Sequence, residues 1–243
     1  MKNINIFLFF LFVLNAFSQE KVCRTAICDK SEVFQKNEWD KYTGYDFSNL
    51  WNSTDNEVYG VIGDNYQRIF IKFISIKRNE KNKAEYIVYG KSNVTSNICD
   101  FVGTITIIEI HELKKPKFGV DDEYKNNGIK SQGLLVASYK FIENKSQKNT
   151  GEFYGKVQTI FYIDKNNLIK YNDIESYRDN YFNNAFVGIW KSNNSGKEKI
   201  CNWGDYRVPS VNCNFDIGSG ELSVSEKYIK NGWEVKPKQK WWK

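Results

Sequence analysis

Drawn as an extended chain, residues 151–164 place Phe153, Val157, Phe161 and Ile163 on one side, with Gly155 and Thr159 between them. The other side carries Glu152, Lys156, Gln158 and Asp164 beside Tyr154, Ile160 and Tyr162. This period of two marks a strand with one face buried, because successive side chains of an extended backbone point to opposite sides. The alternation recurs in residues 66–78, where Ile69, Ile71 and Phe73 oppose Arg68 and Lys72, and again at Leu135, Ala137, Tyr139 and Phe141. In residues 104–113 the adjacent pair Ile107-Ile108 breaks the phase. A bulge, or a strand covered on both faces, accounts for such a break. Polar clusters at residues 79–83, 144–150, 165–167 and 192–196 separate the runs. Loops this short join antiparallel neighbours, so the chain reads as a meander of about nine or ten strands. A strand–helix–strand rhythm, the sign of a parallel α/β sheet, is missing.

Long, aromatic-rich strands left as a flat open sheet expose edges that aggregate. Rolling the meander into a closed barrel removes the edges, and packing it as two sheets shortens them. The runs are long and the loops short, so a mainly β fold closed into an antiparallel barrel is the first expectation and a β-sandwich the second. Two short helices are expected. One covers residues 31–42. The other is opened by Asn172 and Glu175 at capping-box spacing, carries Ile174, Tyr177 and Tyr181 at helical intervals, and is closed by Asn183-Asn184. Residues 114–132 form a long polar connection, a mobile loop or a lid at one end of the sheet.

The chain opens on Met1-Lys2-Asn3, then an apolar run from Ile4 to Phe17, then Ala16-Phe17-Ser18 before Gln19. That is the layout of a secretory signal, and the run is shorter than the ~20 residues of a spanning helix. Residues 1–18 are therefore expected to be removed. Residues 19–243 then form a single exported β domain, periplasmic or extracellular, with an N-terminal segment at 19–45 and a basic aromatic tail at 236–243. No later stretch reads as a membrane-spanning helix. The formal charge of +6 is modest for 243 residues, and no nucleic-acid partner is expected.

An exported chain meets an oxidising compartment, so Cys23, Cys28, Cys99, Cys201 and Cys213 are all disulfide candidates. Cys201 and Cys213 flank a turn-rich stretch and are expected to pair. Either Cys23 or Cys28 then pins the N-terminal segment, to its neighbour or to Cys99, and the odd count leaves one thiol free. The chain has one histidine, which rules out sites that need two. No metal site and no cofactor is expected.

The single histidine, His111, lies on a strand beside Glu109, where a carboxylate tunes an imidazole for base work. The plainer reading is a polar strand end. No nucleophile elbow and no phosphate-binding glycine loop occurs. Phe186-Val187-Gly188-Ile189-Trp190 leads a strand and is followed by Trp203, Tyr206 and Arg207. A Gly-x-Trp opening a strand, with an arginine from elsewhere to stack on the indole, resembles the barrel-closing device of lipocalin-type proteins. The resemblance covers three residues, stands in the C-terminal third of the chain, and implies a lipocalin-like barrel without specifying a ligand. Trp190, Trp203, Tyr206 and Arg207 are the candidate ligand-binding residues, and no catalytic residue is assigned. The expected function is non-enzymatic binding of a small apolar or amphipathic ligand, or of a cell-envelope partner. The alternative is a secreted glycan-acting hydrolase that uses two carboxylates facing one another across a cleft.

Overall fold

The computed structural model describes residues 21–52, 57–234 and 240–243. The expected leader and residues 236–239 of the basic tail lie outside the described residues. In chain order the strands are β1 (Val22–Cys23), β2 (Val58–Ile62), β3 (Gln67–Arg78), β4 (Glu85–Val94), β5 (Asn97–Glu112) and β6 (Ser131–Glu143). They continue with β7 (Gly151–Ile163), β8 (Ile169–Tyr171), β9 (Asn183–Ser192), β10 (Glu198–Asp205) and β11 (Val211–Asn212). Three single-turn helices accompany them, α1 (Trp39–Tyr42), α2 (Ser48–Trp51) and α3 (Glu226–Ile229).

Strands β2, β3, β4, β5, β6, β7, β9 and β10 pair in that order, and β10 pairs back onto β2. Every pairing is antiparallel, so the meander closes into an eight-stranded barrel. The barrel expectation holds, and so do the four polar hairpin turns. The phase break at Ile107-Ile108 is a bulge. The register steps from Ile107↔Ala137 to Glu109↔Val136, which leaves Ile108 exposed. A second bulge exposes Ile74 of β3 in the same way. Each extra residue flips the phase of its strand, so the apolar side faces inward on both sides of the break.

Aromatic rings fill the barrel interior, and glycines make room for them. Gly155 of β7 faces Gly188 of β9 across the sheet, and the Tyr139 hydroxyl sits against both. A Cβ on Gly188 would lie 2.5 Å from that oxygen. One barrel end is plugged by α1 and α2. Tyr42 and Phe47 pack edge-on against Phe161, and Trp51 against Tyr86. Buried hydrogen bonds hold the plug. The Trp51 indole donates to Thr159 Oγ1 (3.0 Å), and the Asn184 amide donates both to the Leu50 carbonyl and to Asp205 Oδ2 (2.8 Å each).

Two helix expectations are corrected. In place of one helix over residues 31–42 stand a 3-10 turn at Lys30–Glu32, capped by Asp29, and the separate helix α1. The stretch from Asn172 is a series of turns, because its residues are used elsewhere. Glu175 accepts the Gly119 N–H at 2.8 Å, and Asn183 starts β9. The Asn183 amide also bonds both backbone groups of Ile160, at 2.9 and 3.0 Å. It stands in for a neighbouring strand where the edge of β7 passes from β9 to β8.

The disulfide expectation is also corrected. Cys23 pairs with Cys213, while Cys28, Cys99 and Cys201 are free and buried. Cys201 belongs to the barrel core, opposite Ile62 and Gly188, and cannot reach the outer surface where Cys213 lies. The two-stranded ribbon β1–β11 brings Cys23 to its partner. Next to it, Val61, Val208, Val211, Phe215 and Tyr228 form a core outside the barrel. The Cys23–Cys213 link spans 190 residues and closes a very long loop in the unfolded chain. Replacing both by serine is expected to cost about 2–5 kcal/mol of stability. The barrel closes without this bond, so the far-UV strand spectrum is expected to persist while the urea midpoint falls.

Candidate functional site

The end opposite the plug is a mouth ringed by the β2–β3, β4–β5, β6–β7 and β9–β10 turns. It holds a cavity of about 410 Å³, a size typical of small-molecule sites. Ile62, Ile69, Val94 and Phe153 form its apolar wall, and Asn65, Gln67, Ser92, Thr95, Asn97 and Asn149 contribute polar groups. Glu143, Trp190 and Lys199 complete it. Thr95 and Asn149 have left-handed backbones, with φ of 49° and 54°. That conformation is costly for the β-branched Thr95, where the two-residue β4–β5 hairpin with Ser96 at 67° requires it, and is readily adopted by Asn149.

Glu143 is the last inward residue of β6, two positions beyond Phe141, and is only 3% exposed. Its Oε1 accepts from the Ser92 hydroxyl, and its Oε2 accepts from the Gly151 N–H at 2.7 Å and the Trp190 indole N–H at 3.0 Å. Gly151 must be small here, since a Cβ would lie 2.4 Å from the indole. Lys199, opposite Trp190 in the β9–β10 register, carries its Nζ over the indole at 5.7 Å. The described residues give Glu143 hydrogen-bond donors but no ion pair. Burial raises its carboxyl above the ordinary carboxylate range, and the three donors only partly offset this.

A folded carboxyl with a raised pKa keeps its proton to higher pH than the unfolded one. Its contribution to stability is full below the ordinary value near 4.5 and is lost as pH rises through the raised value. Glu143→Gln keeps the contacts, because the amide oxygen receives Gly151 and Trp190 while the NH₂ donates to Ser92. The stability of this variant relative to the wild type is therefore expected to increase from pH 4 to pH 7.5, read from urea midpoints at both.

Of the four residues singled out in the sequence, only Trp190 reaches the mouth cavity. Trp203 is buried in the barrel interior, stacked on Phe186 at 4.8 Å and edge-on to Tyr139. Towards the plug it borders a small cavity of about 30 Å³ shared with Asn184 and Asp205. Tyr206, just past β10 at the plug end, packs against Tyr181 at 5.4 Å. Arg207 is buried against Asp216 and the carbonyls of Gly218, Ser219 and Gly220. The arginine-on-indole contact implied by the lipocalin resemblance is not made by this residue. The cations over indoles among the described residues are Lys199 on Trp190, Arg68 on Trp233 and Lys72 on Trp242.

His111 is far from the mouth. Its Nε2 lies 3.1 Å from Glu109, and its Nδ1 lies 3.0 and 3.1 Å from the carbonyls of Phe34 and Lys36. Nδ1 thus clamps the N-terminal segment to β5, while Nε2 meets a carboxylate of its own strand. Burial pushes the Cys99 thiol up to about 11 and the Cys28 thiol up to about 12, which keeps both protonated and unreactive at neutral pH. At the chain end, Trp241 packs 6.0 Å from Phe70 on β3. Among the described residues no helix is long and apolar enough to cross a membrane.

Glu143, Ser92 and Lys199 escaped the sequence reading, yet a signal for the first was there. The inward series Leu135, Ala137, Tyr139, Phe141 reaches Glu143 at its next step. The fold and its site together define a closed eight-stranded barrel, plugged at one end and open at the other. Comparisons with family models, curated proteins and solved structures find no match for the chain.

Proposed function

We propose that this barrel binds a small amphipathic ligand through its open mouth and does not act as an enzyme. The observation that carries this reading is the 410 Å³ cavity, which joins an apolar wall to a buried carboxyl and a fixed indole. Apart from the 30 Å³ cavity near the plug, the core below the mouth is packed with side chains. A glycan hydrolase of the paired-carboxylate type needs a second carboxyl about 5–10 Å from the first. Among the described residues the cavity lining supplies one carboxyl, Glu143, with Lys199 as its other charged side chain, which favours binding over bond cleavage. Export, to the periplasm or the outside, remains part of the proposal and fits a chain that carries a disulfide.

A fragment screen on the full processed chain, read by ¹⁵N–¹H correlation spectra, tests the reading. Binding fragments are expected to shift the Trp190 indole N–H and the amides of Ser92, Thr95 and Gly151. Shifts confined to other surfaces, or a screen with no mouth response, would overturn it.

A further inference from the structure

We propose that the ligand of the mouth is a saccharide, with one C–H face against Trp190 and a hydroxyl donated to Glu143; this rests on the ligand-binding reading above. A carboxylate has about four acceptor positions, two on each oxygen. Among the described residues, Oε2 of Glu143 takes two donors, from Gly151 and Trp190, whereas Oε1 takes one, from Ser92. One acceptor position on a carboxyl that lines the cavity is left for a ligand donor.

The rest of the lining fits the same chemistry. Asn65, Gln67, Asn97 and Asn149 offer amides, which both donate and accept, as hydroxyl groups require. Two of these amides are held in place. Gln67 Nε2 donates to the Asn231 carbonyl at 2.8 Å, and Asn97 Nδ2 to the Lys148 carbonyl at 3.0 Å. The indole is fixed by its own N–H bond to Glu143 and by its seat on Gly151. A purely apolar ligand would strip water from these groups and give nothing back, which weakens its binding for each one left unpaired. A cationic ligand would be repelled by the like charge of Lys199, which lines the same cavity, whereas a neutral ring can share the site with that ammonium. A sugar ring supplies both an apolar face and a ring of hydroxyls, and a cavity of 410 Å³ holds one or two such rings.

Saturation-transfer NMR on the full processed chain tests this with the methyl glycosides of glucose, galactose, mannose and N-acetylglucosamine. Cyclohexanol and N-phenyl-1-naphthylamine are the apolar arms. At least one glycoside is expected to bind, with saturation strongest on the protons of one ring face and a shift of the Trp190 indole N–H. Glu143→Gln, which keeps its internal contacts, is expected to weaken that glycoside roughly tenfold or more, since the NH₂ that takes the Oε1 position cannot accept the ligand hydroxyl. If the apolar probes shift the mouth amides and all four glycosides are silent, the saccharide proposal fails and the binding reading survives. If nothing binds in the mouth, both fail. Unchanged glycoside affinity in Glu143→Gln overturns the role given to the carboxyl.

Discussion

Replacing Asp216 by alanine is expected to lower the unfolding free energy by about 3–5 kcal/mol. Asp216 and Arg207 are each only 1% exposed at the side chain and form an ion pair, and Arg24 reaches the same carboxylate oxygen at 3.1 Å. The other carboxylate oxygen accepts the backbone N–H groups of Gly218 and Ser223, both at 3.1 Å. One carboxylate thus serves two guanidiniums and folds the loop that follows β11. Removing it leaves two like charges close together in a site with little water, and that uncompensated charge is the main source of the loss. Arg24 already feels part of this, since burial and the Arg207 charge hold its guanidinium below the ordinary value. Asp216→Asn keeps the acceptor and is expected to lose less than the alanine variant. Urea unfolding of the three proteins checks the order, and an alanine variant within about 1 kcal/mol of the wild type would refute the account. The same result bears on Arg207. A side chain committed to Asp216 and three carbonyls is a structural hub, so Arg207→Ala is likewise expected to destabilise the fold.

The strands were legible because their signal is local. Alternation over ten or more residues, interrupted by short polar clusters, fixes hairpins and their inward faces, and even the bulge at Ile108 left a mark in the phase. Closure followed from the edge problem. What failed depended on contacts far apart in the chain. Cys213 has Cys23 for a partner because β1 and β11 meet, and nothing within the neighbourhood of either residue says so. Asn172 and Glu175 do have the spacing of a helix start. The residues that would extend the helix instead serve β7 and residue Gly119, and the gain from those distant bonds outweighs local propensity. The site was half legible. Trp190 stands out as an aromatic in a strand, whereas Glu143 directly precedes the polar cluster at 144–150 and is a charged residue at a strand end. Its inward direction follows from the alternation of β6, but nothing local tells that Ser92, Gly151 and Trp190 gather around it.

Two tryptophans 13 positions apart are expected to separate stability from binding. Trp203→Ala removes a fully buried indole that stacks on Phe186 and touches Tyr139, Phe141 and Phe153. The loss is expected to be about 3–5 kcal/mol, because the transfer term and the cavity left behind add together. Trp190 is only half-buried and sits at the mouth, so Trp190→Ala is expected to cost less than half as much. Part of that cost comes from Glu143, whose carboxyl loses one of three donors. The order reverses for binding. Without Trp190 the cavity loses its aromatic wall and the anchor of its carboxyl, and mouth-binding fragments are expected to weaken by tenfold or more, the range of one lost stacking contact. Trp203→Phe repacks the core with a smaller ring, and its affinity for those fragments is expected to stay within about threefold of the wild type, a shift of under 1 kcal/mol. Chemical denaturation gives one axis and fragment titration the other. Should Trp203→Phe lose binding while Trp190→Ala keeps it, the ligand would have to lie deeper, beside the small cavity next to the plug, and the mouth would be no more than a passage to it.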